Sequence, residues 1–505
     1  MVLKSHPQRP DWFIWCDPDV DWCRANAELP GLQFEAAQGR MIVLYHVSHV
    51  PCMPDDIQME HNVVEQARQQ DTVLPFENSG LLRSYQQADL QFLKRRKGAL
   101  LGYEMRLGKS PLACHMHNPE DGILVIAGPL AARESWRDWV ERTLGYPPCL
   151  LYGRKNATAE AGYPAYFCHY DVLDAHTRFF STQRIGTLVL DELHMLQSRG
   201  TQRIDAVNTL AFRAPKILGL TGTPCWNKPK SLWTILHLLN PGAWGTQFNF
   251  RKRYAGAEPG AYGWKFEGAS NTEELQARLQ TIMVRRTWAE VMPDLPATTR
   301  VIEPVELSVT NYAGIEAAAM KATLAQGTSN AMGYLATLRR KLAEAKIKPA
   351  LEIAQRAAAD GHKVVLWVWH NEIGAKLVQA LQAAVGEHAV YRIQASDDGF
   401  KRERTKERFT EHVGPAFLVA GIQVGGVALD FSASDYAIFV ELDWTPANMQ
   451  QAEMRTFHKD RPHIVVHLHT DDPIESKLVE ALDVKNAFAN ALGLGFEDIA
   501  QRILT

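Results

Sequence analysis

The stretch Leu101-Gly-Tyr-Glu-Met-Arg-Leu-Gly-Lys-Ser110 follows a helical-looking segment and leads into residues able to start a helix. A Gly-Lys-Ser triplet in that setting suits anions. Backbone N–H groups and a helix N-terminus surround phosphate oxygens, the lysine adds a point charge, and the serine hydroxyl can ligate magnesium. The spacing is irregular: five residues separate Gly102 from Gly108, and Arg106 stands where a glycine is often found. On its own the stretch fits a nucleotide site and an ordinary loop before a helix equally well, so the flanking sequence decides.

Upstream, Leu81, Tyr85, Ala88 and Phe92 mark one face of a helix ending in Lys94-Arg-Arg-Lys97. Downstream, short apolar runs at Ile123–Ile126, Thr187–Leu190 and Ile217–Leu220 alternate with helix-compatible segments, which predicts a parallel sheet. A second series, Val364–Val368, Phe417–Ala420, Ala437–Val440 and Ile464–Leu468, predicts a second sheet. Between them, Glu273–Arg286 and Ala317–Ala350 read as helical. Ahead of the first sheet, aromatics crowd Trp12 to Trp22 and Arg40–His46 reads as a strand; a compact aromatic core is favoured over a base-stacking surface. The expected layout is an accessory domain over 1–75, a sheet domain over 76–228, a helical connection over 229–350, a second sheet domain over 351–472 and a helical tail over 473–505.

The chain has 505 residues, enough for two or more domains, with 46% hydrophobic and 22% charged residues and a net charge of −3. That balance does not advertise a polyanion binder, so any contact with nucleic acid must come from local basic faces. No signal-peptide core and no run of about 18 apolar residues occurs, so an intracellular, soluble protein without a membrane partner is expected. The seven cysteines contain no CxxC pair and indicate neither a disulfide framework nor a zinc ribbon.

Two further stretches carry chemistry. Thr187-Leu-Val-Leu-Asp-Glu-Leu-His194 places adjacent acids at the end of an apolar strand. Beside a phosphate loop, such an aspartate can hold a magnesium shell and the glutamate can activate water; without one, the pair is an ordinary helix start. Lys216-Ile-Leu-Gly-Leu-Thr-Gly-Thr-Pro224 is another strand ending in a small polar turn, read either as a plain turn or as a nucleotide-sensing switch.

Taken in order, Leu82-Arg-Ser-Tyr-Gln-Gln87, Glu104-Met-Arg-Leu-Gly-Lys-Ser110, Asp191-Glu-Leu-His194 and Leu220-Thr-Gly-Thr-Pro224 resemble the glutamine motif and motifs I, II and III of superfamily 2 helicases, specifically Swi/Snf-type DNA translocases. The stretch from Met283 to Pro296, containing Arg285-Arg-Thr287, and the stretch Trp444–Arg455 are similar to later segments of that family. Leu342–Pro349, and Ala428–Asp435 following Gly425-Gly426, resemble the annealing, fork-remodelling branch.

The resemblance implies an α/β protein with two RecA-like parallel-sheet domains, a helical insertion between them and a small N-terminal accessory domain. It implies ATP and Mg2+ as cofactors and double-stranded, forked or four-way DNA as partner; a monomer is expected. Gln86 would read adenine, with Arg83, Met105 and Gly108 as further nucleotide contacts. Lys109 would contact the β- and γ-phosphates, Ser110 and Asp191 would hold magnesium, and Glu192 would activate water. Gly426 would lie near the nucleotide. Arg455 would stabilise transition-state charge, a role worth roughly 10³ to 10⁵ in rate for arginine fingers. His458 departs from the family, which carries a second arginine there; Lys459 or Arg461 could substitute, or hydrolysis is weakened. The basic clusters 94–97, 285–286, 339–341 and 401–408 are candidate phosphate contacts, and each fits a solvated helix face at least as well. The resemblance also admits motors that displace bound proteins or drive a restriction or defence complex, and an ATP-gated DNA-binding module with weak turnover.

Overall fold

The computed structural model describes residues 80–151, 153–154, 162–196, 202–222, 229–260, 263–266, 268–294, 298–306, 331–423, 429–443 and 446–470, residues 314 and 475, and five strands before residue 60. The chain divides into two compact units between Pro293 and Asp294.

The N-terminal strands are β1 (Val2–Ser5), β2 (Trp12–Cys16), β3 (Gln33–Ala37), β4 (Arg40–His46) and β5 (Gln58–Met59). They form one sheet in the order β3-β4-β2-β1-β5. This sheet belongs to the first unit. Phe13 is fully buried in the same core as the strands that follow, and Trp12 packs against that core.

Seven strands make the main sheet of the first unit: β6 (Gly98–Leu101), β7 (Ile123–Gly128), β8 (Cys149–Leu151), β9 (Ala165–His169), β10 (Ile185–Leu190), β11 (Lys216–Leu220) and, after the hairpin β12 (Ala257–Gly260) and β13 (Gly263–Phe266), β14 (Met283–Val284). Their order is β14-β6-β11-β10-β7-β9-β8, and every pairing is parallel. The interior strands are apolar along their length because helices cover both faces. The expected runs therefore recur as β7, β10 and β11. The short strand β6 was not expected; its Gly98 lies so close to another backbone that a Cβ would fall 2.0 Å from the Leu239 carbonyl oxygen.

The expected helix over Glu273–Arg286 stops early. It spans Thr272–Gln280, and Met283 and Val284 instead extend the sheet edge by pairing with Leu100 and Leu101. The reason is burial, since Ile282, Met283 and Val284 form a solid apolar run that the edge beside β6 covers.

The second unit has β15 (Thr298–Val305), β16 (Val364–Val368), β17 (Val390–Ile393), β18 (Phe417–Gly421), β19 (Tyr436–Phe439) and β20 (His463–Thr470) in the order β15-β20-β19-β16-β18-β17, again all parallel. Two cores, one around Trp367 and Phe439 and one around Leu366 and Ile438, lie on its two faces. The stretch 229–350, read from sequence as helical, thus also holds a hairpin, an edge strand of the first sheet and an edge strand of the second. Residues 317–330 lie outside the described residues, as does most of the tail after 470. Among the described residues, no helix is long and apolar enough to cross a membrane.

Candidate nucleotide site

β6, β11, β10 and β7 are parallel neighbours, so the segments at their carboxyl ends emerge along one edge: the loop 102–108, Thr221-Gly222, Asp191-Glu192 and Gly128. The helix Lys109–Met116 starts at the loop's end with Gly108 as its N-cap.

The loop turns through two left-handed residues, Arg106 at φ 66° and Gly108 at φ 82°. A Cβ at Gly108 would lie 2.5 Å from Gln86 Nε2, so a side chain there would both strain the left-handed backbone and displace the Gln86 amide from the loop. Arg106 keeps the left-handed turn despite its side chain, at a cost of roughly 1–2 kcal/mol.

Side-chain donors tie down the loop carbonyls. Lys109 Nζ donates to the carbonyls of Tyr103 at 3.0 Å and Glu104 at 3.2 Å. Trp288 Nε1 donates to that of Met105 at 3.0 Å, and the Tyr85 hydroxyl to that of Leu107 at 2.8 Å. Gln86 Nε2 donates to Leu107 at 3.3 Å and Gly108 at 2.8 Å, while its Oε1 accepts from the Arg83 backbone at 2.8 Å. The amide expected to read adenine is thus engaged at both ends, linking the start of helix Ser84–Lys94 to the loop. Behind the loop, Asp89 accepts from the Tyr103 hydroxyl at 2.6 Å and from Arg286 at 2.9 and 2.6 Å, all buried.

Asp191 is held at the end of β10 from several directions. Its backbone N–H donates to the Ala127 carbonyl at 2.8 Å, and its carbonyl accepts from the Tyr170 hydroxyl at 2.7 Å. Its Oδ2 accepts from Trp136 Nε1 at 2.8 Å and its Oδ1 from the Glu192 backbone at 3.0 Å. Burial, then the Glu192 charge, push its carboxyl above the usual range, opposed by the Trp136 hydrogen bond and by Lys109. Glu192 has φ 47°, and its buried Oε2 lies 3.3 Å from His194 Nδ1.

His194 Nδ1 lies 3.1 Å from the Thr221 hydroxyl, joining the acid pair to the turn after β11. Burial, then the Lys109 charge, hold His194 down at about 3, so the ring is neutral at physiological pH. The Lys109 ammonium itself lies against Gly222, whose Cβ would be 3.6 Å away. The structure therefore brings Arg83, Gln86, Met105, Gly108, Lys109, Asp191 and Glu192 to one neighbourhood, with Ser110 in the first turn of the following helix. The set suits a hard divalent ion: Ser110 and Asp191 supply oxygen donors, and the Glu192 carboxylate follows Asp191 in the chain.

Arg455 lies in the second unit on helix Pro446–Thr456, where its carbonyl accepts from the Phe431 backbone at 2.8 Å. Nearby, His458 Nδ1 accepts from the Asp460 backbone at 3.0 Å. Arg461 donates to the Ser432 carbonyl at 2.7 Å and pairs with Asp435 at 3.1 Å, so its guanidinium is already committed. Gly426, Thr223 and Pro224 lie outside the described residues.

Several basic clusters are also committed. Arg96 is buried and donates to the Thr281 carbonyl at 2.7 Å, and Arg286 pairs with Asp89. Arg339 stacks over Trp369, Arg340 pairs with Glu372, Lys341 with Glu344 and Lys401 with Asp397. Sequence reasoning missed Asp89, Tyr103, Trp136, Tyr170 and Trp288. Each is distant in sequence from what it supports, and only the buried acid Asp89, on the apolar helix face, carries a local signal.

Fold and site together define a helicase-type, phosphate-loop ATPase built on two parallel sheets. The SNF2-related domain matches residues 85–344 and the helicase conserved C-terminal domain matches residues 345–459. The chain belongs to the SNF2-related family, DNA-dependent ATPases of helicase superfamily 2. It is 26% identical over 407 residues to the mouse DNA annealing helicase and endonuclease ZRANB3, covering 76% of this chain and 37% of that protein. It is 26% identical over 405 residues to the Xenopus tropicalis SWI/SNF-related matrix-associated actin-dependent regulator of chromatin subfamily A-like protein 1, covering 77% of this chain and 42% of that protein. The chain thus spans well under half the length of these relatives. The mouse relative's description agrees with the annealing branch that residues 342–349 and 428–435 resemble. The Sulfolobus solfataricus SWI2/SNF2 ATPase core in complex with dsDNA aligns over 84% of this chain and 96% of its own, at 19% identity and a TM-score of 0.39.

Proposed function

We propose that the chain is an ATP-dependent DNA translocase acting on double-stranded or branched DNA, where it anneals strands, remodels forks or migrates junctions. The observation that carries this reading is the anion-ready loop 102–110 set beside the buried acid pair Asp191-Glu192 at one sheet edge. The annealing-helicase description of the mouse relative supports the finer task.

In this reading the loop N–H groups and Lys109 bind the ATP phosphates, and Lys109 exchanges the carbonyls of Tyr103 and Glu104 for phosphate oxygens. Ser110 and Asp191 hold Mg2+, which supplies charge neutralisation for phosphoryl transfer. Glu192 orients water and takes its proton. Gln86 and Arg83 meet the base, Gly426 lies near the nucleotide, and Arg455 supplies positive charge in the transition state. His194 and Thr221 relay the state of the acid pair to the turn after β11. Alternate closing and opening of the two RecA-like units as ATP binds and is hydrolysed moves a monomer along the DNA backbone, through contacts indifferent to sequence.

The experiment is ATP hydrolysis by the purified chain with blunt, forked and four-way DNA. DNA-stimulated turnover is expected, and Glu192→Gln should lower it by two or more orders of magnitude while ATP-dependent DNA binding persists. Absence of DNA stimulation, or full activity in the variant, would sink the reading.

A further inference from the structure

The helix Gln247–Tyr254 packs against the hairpin β12–β13 through two side-chain pairs. On the helix, Phe248 and Lys252 are one turn apart and share a face; on β13, Trp264 and Phe266 are two residues apart and share a face. The Phe248 and Phe266 rings meet edge-on at 6.0 Å, and the Lys252 ammonium sits 5.6 Å from the Trp264 ring centroid.

This contact leaves much of the aromatic surface open, since Trp264 is 44% exposed and Phe248 48%. Lys252 is exposed and forms no ion pair among the described residues, whereas the adjacent Arg253 is clamped by Glu274 at 2.7 and 3.0 Å; Lys265 faces the other side of the strand, opposite Glu258. The hairpin is also firmly based. Its strands pair from Ala257–Phe266 to Gly260–Gly263, the Gly268 N–H donates to the Ala255 carbonyl at 3.2 Å, and at Gly256 a Cβ would strike Gly268 Cα at 2.8 Å.

An open indole on a braced hairpin, with an ammonium over its ring, combines the two parts of single-strand recognition. The aromatic face stacks on a base, and the cation neutralises an adjoining phosphate. A partner surface rich in carboxylates would use Lys252 but leave the indole idle; an apolar one would bury the indole and strand the ammonium.

We propose that Trp264 is a stacking platform for an unpaired base of branched DNA, with Lys252 meeting the neighbouring phosphate. The proposal rests on the reading of the chain as a DNA motor and names where that motor distinguishes a fork from plain duplex.

The test is fluorescence anisotropy of the full chain with a labelled fork bearing a single-stranded arm and with a blunt duplex of equal length. Trp264→Ala is expected to weaken fork binding roughly tenfold, within the range for one lost base–aromatic stack. Blunt-duplex binding and duplex-stimulated ATPase should stay within about twofold, Trp264→Phe should retain most of the fork affinity, and Lys252→Gln should weaken the salt dependence of fork binding. Iodouracil in the single-stranded arm should photocross-link the wild-type chain at residues 263–266, a readout independent of how any variant folds. Wild-type fork affinity in Trp264→Ala, an equal loss on fork and duplex, or a cross-link mapping elsewhere overturns the proposal. Failure of the motor reading is separate, since it shows as absent DNA-stimulated ATPase in the wild-type chain.

Discussion

Arg106 in the phosphate loop and Glu192 after β10 both hold left-handed backbone that L side chains rarely adopt, with φ of 66° and 47°. Strain of this kind collects where a side chain must be aimed. At Arg106 the strain is separable from the chemistry. Arg106→Gly is expected to melt at or above the wild-type temperature, and Arg106→Val to lose about 1 kcal/mol or more, because a β-branched residue tolerates positive φ least. Thermal melts of the two variants check the ordering; a less stable glycine variant would mean that the arginine's contacts outweigh its backbone strain. The sequence marked Arg106 as out of place through a motif comparison. It could not show that the backbone keeps the glycine-like turn, because φ depends on how the loop is held at its carbonyls. His458 was equally visible, whereas the engagement of Arg461 with Ser432 and Asp435 required the fold.

Among elements, the Asp89–Arg286–Tyr103 cluster fastens the helix Ser84–Lys94 to the phosphate loop and to the segment after β14. Asp89→Ala would leave the Arg286 guanidinium buried without its counter-charge, a loss of about 3–5 kcal/mol. Denaturant unfolding should show that loss, and nucleotide affinity should fall with it because the loop loses its backing. Unchanged stability would mean that Arg286 finds another acceptor. Strands buried on both faces were legible as unbroken apolar runs: β16 coincides with the expected Val364–Val368, and β7, β10, β11, β18 and β19 start or end within two residues of theirs. β6 is four residues long and half Gly and Ala, β14 is two residues, and β15 is an edge strand whose exposed and half-buried residues give no apolar run. Such strands are defined by the neighbour they pair with, which local sequence does not encode.

For the whole molecule, both units bury neutral histidines, and this fixes the acid side of their stability. Burial first, with Arg300 among the other causes, holds His463 down at about 4 and His467 at about 3 in the second unit. Burial likewise holds His46 and His194 down at about 3 in the first. The unfolded chain takes up protons near pH 6.5 while the folded chain stays neutral. Stability is therefore complete above about pH 6.5 and falls as pH drops toward the folded values, by about 1.4 kcal/mol per pH unit for each such histidine. The melting temperature should decline from pH 7 to pH 5. His467→Phe should make the decline shallower, because the ring at 467 stacks on Phe439 at 4.8 Å and 7° and a phenyl group can keep that contact. An equally steep decline in the variant would assign the acid sensitivity elsewhere. The N-terminal sheet shares in this cooperativity, since Phe13 lies in the core of the first unit and His46 bonds to Asn240. Its strand Arg40–His46 was legible in sequence; its burial against the motor was not, because a compact aromatic core and a covered one look alike in composition.

The donors that occupy the carbonyls of Tyr103, Glu104, Met105, Leu107 and Gly108 make the loop act as an electrostatic rectifier. With those five oxygens quenched, the loop offers an approaching solute mainly positive dipoles. It admits a polyanion and gives a lone cation no foothold there, so loading of a divalent ion should depend on the nucleotide arriving with it or before it.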